Sequence, residues 1–318
     1  MQILPLLLLA SLGADAPVIQ TPQEQDIERD IGYLASPRLE GRLTSKPGEQ
    51  DATTYVARAF ASMDLEPWGD IQADGSRSYF QDFEFPFEIK LEPGNRAALG
   101  SDELVLDQDW RPMGFSAAGD VDAPVVFAGY GIQAPAEGSH PAVNSYQQMD
   151  PKLLKGNWAL VFRYLPEGLD AEQKMRLNRY AQLEYKAAVA RDLGAKGILV
   201  VSGPSSHAKD QLVALRLAGG AVSGFVALTV SDATGQKLIQ STGFNLGELQ
   251  ARLDGGEWLR PFEVPNTQLS AHTALHTERG RGRNVLARLA APQSKSRVLV
   301  GAHVDHLGHG ESGSSLAT

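Results

Sequence analysis

Apolar residues recur along the chain in two distinct rhythms. Ile27, Ile31 and Leu34 fall at i, i+4 and i+7, one face of a helix, after Thr21-Pro22-Gln23-Glu24, which reads as a capping box with proline at the first helical position. A second helix is predicted from Pro47-Gly48-Glu49, with Ala52, Val56, Phe60 and Met63 turned inward. Between them, Ser36–Arg42 reads as a loop. Tyr79, Phe83, Phe85, Phe87 and Ile89 alternate, which predicts a strand, and Pro86 places it at an edge or gives it a bulge.

The texture changes from about Ala117 to Pro265. Short apolar runs (Val125–Tyr130, Trp158–Phe162, Gly197–Val201, Phe225–Val230) predict strands, with helices between them. Asp170 caps a long helix that ends at Leu193-Gly194, Ser231 caps a short one to about Ile239, and Asn245-Leu246-Gly247-Glu248 heads another. Strands return in Gln268–Thr277 and Asn284–Leu289. Val298–His303 is uniformly apolar until its last residue, as a buried central strand would be. The expected class is therefore α/β. The segments 17–114 and 266–318 form one domain, interrupted by an inserted α/β domain at 115–265.

Composition narrows the chemistry. The 318 residues carry a formal net charge of −9 and no cysteine. The charge argues against nucleic acid as a partner. The missing cysteines exclude a thiol nucleophile, a disulfide framework and Cys-ligated zinc, so any metal site must use His, Asp or Glu. Ile3–Gly13 followed by Ala14-Asp15-Ala16 fits a secretory signal over residues 1–16, although its only positive charge is the terminal amine; a buried N-terminal strand or helix is the alternative. The run is shorter than the roughly 20 residues a membrane span takes. A periplasmic or secreted protein, without stable membrane insertion, is expected.

Candidate chemistry concentrates in His303-Val304-Asp305-His306-Leu307-Gly308-His309. A histidine at the carboxyl end of a strand can bind zinc through one ring nitrogen while a carboxylate fixes the other. In an extended strand, His303 and Asp305 share a face. The plainer reading is a surface histidine in a His-rich turn. His306 and His309 read as solvated loop residues, and His272 and His276 as solvent-facing strand positions. Glu40-Gly41-Arg42 reads as a loop charge pair. No G-x-S-x-G elbow, phosphate loop or dinucleotide fingerprint is present, and Leu217-Ala218-Gly219-Gly220 reads as a turn.

Asn284–Leu289 followed by Val298-Leu299-Val300-Gly301-Ala302-His303-Val304-Asp305-His306-Leu307-Gly308 resembles the family-28 metallopeptidases, mostly secreted zinc aminopeptidases. Asp30–Ser36, Leu39–Arg42 and Pro47–Glu49 resemble that family's N-terminal segment, and 115–265 resembles a protease-associated (PA) domain. The resemblance implies a mixed sheet flanked by helices, two zinc ions, peptide substrates, His303 as a zinc ligand and Asp305 as the active-site carboxylate that orients it. It further implies that the bridging aspartate, the general-base glutamate and the other ligands lie beyond Thr318, so that this chain alone is an inactive N-terminal part with an incomplete sheet. Two other readings stand beside it: a non-catalytic PA-bearing binding protein, and a metallo-β-lactamase-like hydrolase, whose His-x-His-x-Asp-His signature lacks its first histidine here.

Overall fold

The computed structural model describes residues 23–208, 210–217, 224–291 and 295–310. The expected signal segment and Gly219-Gly220 lie outside them. In chain order the elements are α1 (Glu24–Leu34), α2 (Pro47–Ser62), β1 (Glu66–Pro67), β2 (Phe80–Leu91), β3 (Arg96–Leu99), β4 (Asp102–Leu104), β5 (Trp110–Pro112), β6 (Gly119–Phe127), β7 (Gln133–Ala134), β8 (Val143–Asn144), β9 (Trp158–Phe162), α3 (Ala171–Leu177), α4 (Leu183–Asp192), β10 (Gly197–Val201), β11 (Val226–Val230), α5 (Asp232–Ile239), α6 (Leu246–Asp254), β12 (Phe262–Thr273), β13 (Leu275–Val285) and β14 (Ala287–Arg288). The protein is a mixed α/β fold. None of the described helices is long and apolar enough to cross a membrane.

The chain divides into two compact units, 84–280 and 1–83 with 281–318. The larger is built on an eight-stranded sheet of order β4-β3-β12-β6-β9-β10-β11-β5. Its centre, β6-β9-β10-β11, is parallel, and its margins are antiparallel. The apolar runs make this possible, because a central parallel strand is covered on both faces. Trp158, Leu160 and Phe162 join one core cluster while Ala159 and Val161 join the other. The sheet also includes β3–β5 and the outer part of β12, which lie outside the 115–265 expected for the inserted domain. Short strands there have no apolar run to announce them; they are recruited by pairing, as in the Ala271–Ala97 and Ala271–Val121 partnerships on the two sides of β12.

The long helix predicted after Asp170 is two helices. Asp170 caps α3 through Gln173, as expected, but a 3-10 turn at Asn178–Ala181 and extended Gln182 (φ −59°, ψ 136°) interrupt it. Leu177 and Tyr180 bury in one core cluster, Ala187 and Ala190 in the other, and one straight helix could not serve both faces of the sheet. Ser231 and Asn245 cap α5 and α6. Gly194 ends α4 at φ 93°.

In the smaller unit, α2 buries Ala52, Thr53 and Ala57, whereas Met63 is exposed. Helix α1 has Gln23 at its N-cap, whose backbone N–H donates to Asp26; Thr21 and Pro22 of the expected capping box lie outside the described residues. Its expected inward face is open, with Ile27 and Ile31 exposed. The largest departure is Val298–His303. No strand forms there, and Val298, Leu299 and Val300 are about nine-tenths exposed. A central strand exists only if neighbours pair with both of its edges, and the described residues supply none.

Candidate functional site

The loop that carries His303 and Asp305 is held by the segment that follows α1. Pro37–Arg42 forms a 3-10 turn in which Glu40, Gly41 and Arg42 take left-handed φ of 46°, 66° and 49°. This geometry turns successive carbonyls toward residues 304–308. His306 N–H donates to the Arg42 carbonyl at 2.8 Å, and Gly308 N–H to the Gly41 carbonyl at 3.0 Å. Leu43 and His306 form a parallel bridge. A Cβ on Gly41 would lie 2.6 Å from the Gly308 oxygen, so only glycine admits the approach. Arg42 reinforces it: its Nε donates to the Val304 carbonyl at 2.8 Å and another guanidinium nitrogen donates to the Leu34 carbonyl.

Asp305 is pinned within this frame. Thr44 Oγ1 donates to Asp305 Oδ2 at 2.7 Å, and Oδ1 lies 3.5 Å from His303 Nδ1. The same ring nitrogen is 3.0 Å from the Asp305 carbonyl oxygen. With Nδ1 as the donor, the lone pair of His303 sits on Nε2 and faces outward from a side chain that is 81% exposed. The expected neighbourhood of His303 and Asp305 is present, but in a loop held by hydrogen bonds and not on a shared strand face. His306 is exposed in the same loop. His272 bonds Asp120 at 2.8 Å in β12, and His276 lies across the Ala274 turn in β13, so the two do not share one continuous strand.

A second layer lies beneath. Glu49, in the first turn of α2, is buried, and its Oε2 has no partner among the described residues. Burial pushes its carboxyl above the usual glutamate range and the charge of Asp305 adds to this, while Arg283 and the backbone N–H groups of Arg283 and Ser45 oppose it. Arg283 donates to Thr53 Oγ1 and Thr54 Oγ1, both at 2.7 Å, and stacks 4.1 Å over Phe80. No sequence signal marks Thr44 or Arg283, and Glu49 reads only as part of a helix start and of the Pro47–Glu49 resemblance: hydroxyls and charges at helix starts and strand ends ordinarily cap or solvate.

Comparison with solved structures finds an aminopeptidase from Aneurinibacillus sp. strain AM-1, 18% identical over 86% of this chain and 50% of that one, with a TM-score of 0.39. It also finds BSAP, a zinc aminopeptidase from Bacillus subtilis (14% identity, 80% and 44% covered, TM-score 0.36). A third is a peptidase M28 precursor from Shewanella amazonensis SB2B (16% identity, 87% and 54% covered, TM-score 0.35). The chain spans about half the length of these structures. No family model matches the sequence. No curated protein matches it either.

The described residues do not by themselves fit a zinc ion. They contain no group of three or more His, Asp or Glu placed to hold a metal, whereas a catalytic zinc takes about three protein ligands. What they offer is one imidazole with an outward-facing nitrogen and a fixed carboxylate behind it.

Proposed function

We propose that this chain is the N-terminal part of a zinc-dependent aminopeptidase that is exported through the signal at 1–16 and carries a PA-type insertion within the compact unit 84–280. His303 contributes one ligand, Asp305 orients it, and the remaining ligands and the general base lie on sequence beyond Thr318. The substrates are peptides with a free amino terminus. One observation carries the reading: Asp305 is held by Thr44 with its second oxygen toward His303 Nδ1, the arrangement by which a carboxylate fixes the tautomer and aim of a metal-binding imidazole.

The test is to read the coding sequence past Thr318, express the protein it encodes and assay leucine p-nitroanilide. The expected result is chelator-sensitive hydrolysis that zinc restores and that H303A lowers more than 100-fold. Activity that H303A leaves unchanged, or a stop codon directly after Thr318, would overturn the proposal.

A further inference from the structure

Three buried polar side chains in the larger unit are spent on the backbone of two loops. Lys186 in α4 has no exposed surface. Its ammonium donates to the carbonyls of Phe162, Arg163 and Tyr164 at 2.8, 3.0 and 2.7 Å. Burial pulls its pKa below the usual lysine range, but three acceptors at this distance require all three protons, so the clamp works with the ammonium form. Asp232, 6% exposed, accepts from the N–H groups of Gly203 and Asp210 at 2.7 and 2.8 Å. Gln250, 1% exposed, accepts from Ser205 N–H at 2.9 Å.

Both loops leave the carboxyl ends of adjacent parallel strands, β9 and β10, where open α/β sheets place their ligands. The first loop is strained as well as clamped: Tyr164 has φ 29°, a value non-glycine residues rarely adopt. Together the loops contribute to a cleft of about 770 Å3 closed on its other side by α3 and the turn after it. The Tyr164 ring lies 4.6 Å from the His207 ring and 4.8 Å from the Arg163 guanidinium. No carboxylate among the described residues pairs with Arg163, whereas the other cation of the cleft, Lys174, is matched by Glu167 at 3.3 Å.

From this arrangement we propose that the cleft binds a carboxylate-bearing ligand, its anionic group on Arg163 and a planar or apolar portion against Tyr164 and His207. Fixing both loops in advance removes the ordering cost that otherwise weakens binding of a small ligand. Arg163 supplies the planar fork that suits a carboxylate. The proposal is independent of the reading of the His303 loop, which belongs to the other unit.

The experiment is calorimetric titration of the 318-residue chain with benzoate and benzamide, and with N-acetylglycylphenylalanine and its C-terminal amide. The acetyl group blocks any aminopeptidase action, so failure here is separable from failure of the proposed function. Both acids are expected to bind at least tenfold more tightly than their amides. A tighter peptide would identify a peptide C-terminus as the source of the carboxylate, a tighter benzoate a small free acid. R163M is expected to abolish the acid preference while retaining the wild-type circular dichroism spectrum. H207A is expected to weaken both acids and keep the preference. Equal affinity for acid and amide, no binding of either acid, or an acid preference intact in R163M or lost in H207A would overturn it.

Discussion

Thr44 and Asp305, 261 positions apart, share a hydrogen bond of 2.7 Å. It joins the turn before α2 to the loop of His303, and its acceptor is a side-chain carboxyl oxygen. T44V is expected to cost about 1 kcal/mol at this half-exposed pair, seen as roughly fivefold faster amide exchange at His306 and Gly308. Unchanged exchange at both amides would mean that the backbone pairing alone holds the loop.

Gly41 tests that backbone pairing. G41A places a Cβ 2.6 Å from the Gly308 oxygen in a residue with φ 66°. It is expected to destabilise the smaller unit by about 1–3 kcal/mol in urea unfolding and to remove the protection of the Gly308 amide. A neutral substitution would show that the turn and loop separate freely.

Glu49 gives the smaller unit a pH dependence of known sign. The fold raises its pKa, chiefly by burial, so folding takes up a proton between the ordinary and the raised value. The stability it contributes is complete below about pH 4.5 and is lost as pH rises through the raised value. Melting curves across this window should show E49Q losing less stability than the wild type as pH increases. Parallel curves for the two proteins would contradict the shift.

Lys186 should be costly to replace. K186M leaves the carbonyls of residues 162–164 without their donor, and about 2–4 kcal/mol of unfolding free energy is expected to go, offset in part by the relief of a buried ammonium. A variant as stable as the wild type would show that the desolvation of the ammonium cancels its three hydrogen bonds.

The exposed run at Val298–Val300 gives the opposite expectation. Because these side chains are about nine-tenths exposed, V298K with V300K should change stability by less than about 0.5 kcal/mol while reducing binding of a hydrophobic dye. A loss above about 2 kcal/mol would mean that the run is buried in solution.

That run shows where reading a sequence stops. Trp158–Phe162 and Gly197–Val201 share its apolar, β-branched character and form strands at the predicted residues, because neighbours flank them on both sides. Val298–Val300 has the same propensity and no partner among the described residues. Composition reports what a segment tolerates, while pairing decides what it becomes. The break at Gln182 was hidden for a related reason: no glycine or proline marks it, only the need to bury Leu177 and Ala187 on different faces. In the candidate site, the closeness of His303 and Asp305 follows from two residues of spacing. The contacts of Thr44 and Arg42 depend on closures of more than 260 residues, which no local pattern encodes.

The order β3-β12-β6 sets the timetable of synthesis. Strand β12 lies between two strands made much earlier, and Trp158 donates its indole N–H to Leu269, 111 residues downstream. At a translation rate of about 5–20 residues per second, β3 and β6 each wait several seconds or longer with one edge unfilled. An emerging chain therefore displays two strand edges meant for the same late arrival, and holding them apart from other nascent chains falls to whatever chaperones meet it before residue 273 leaves the ribosome.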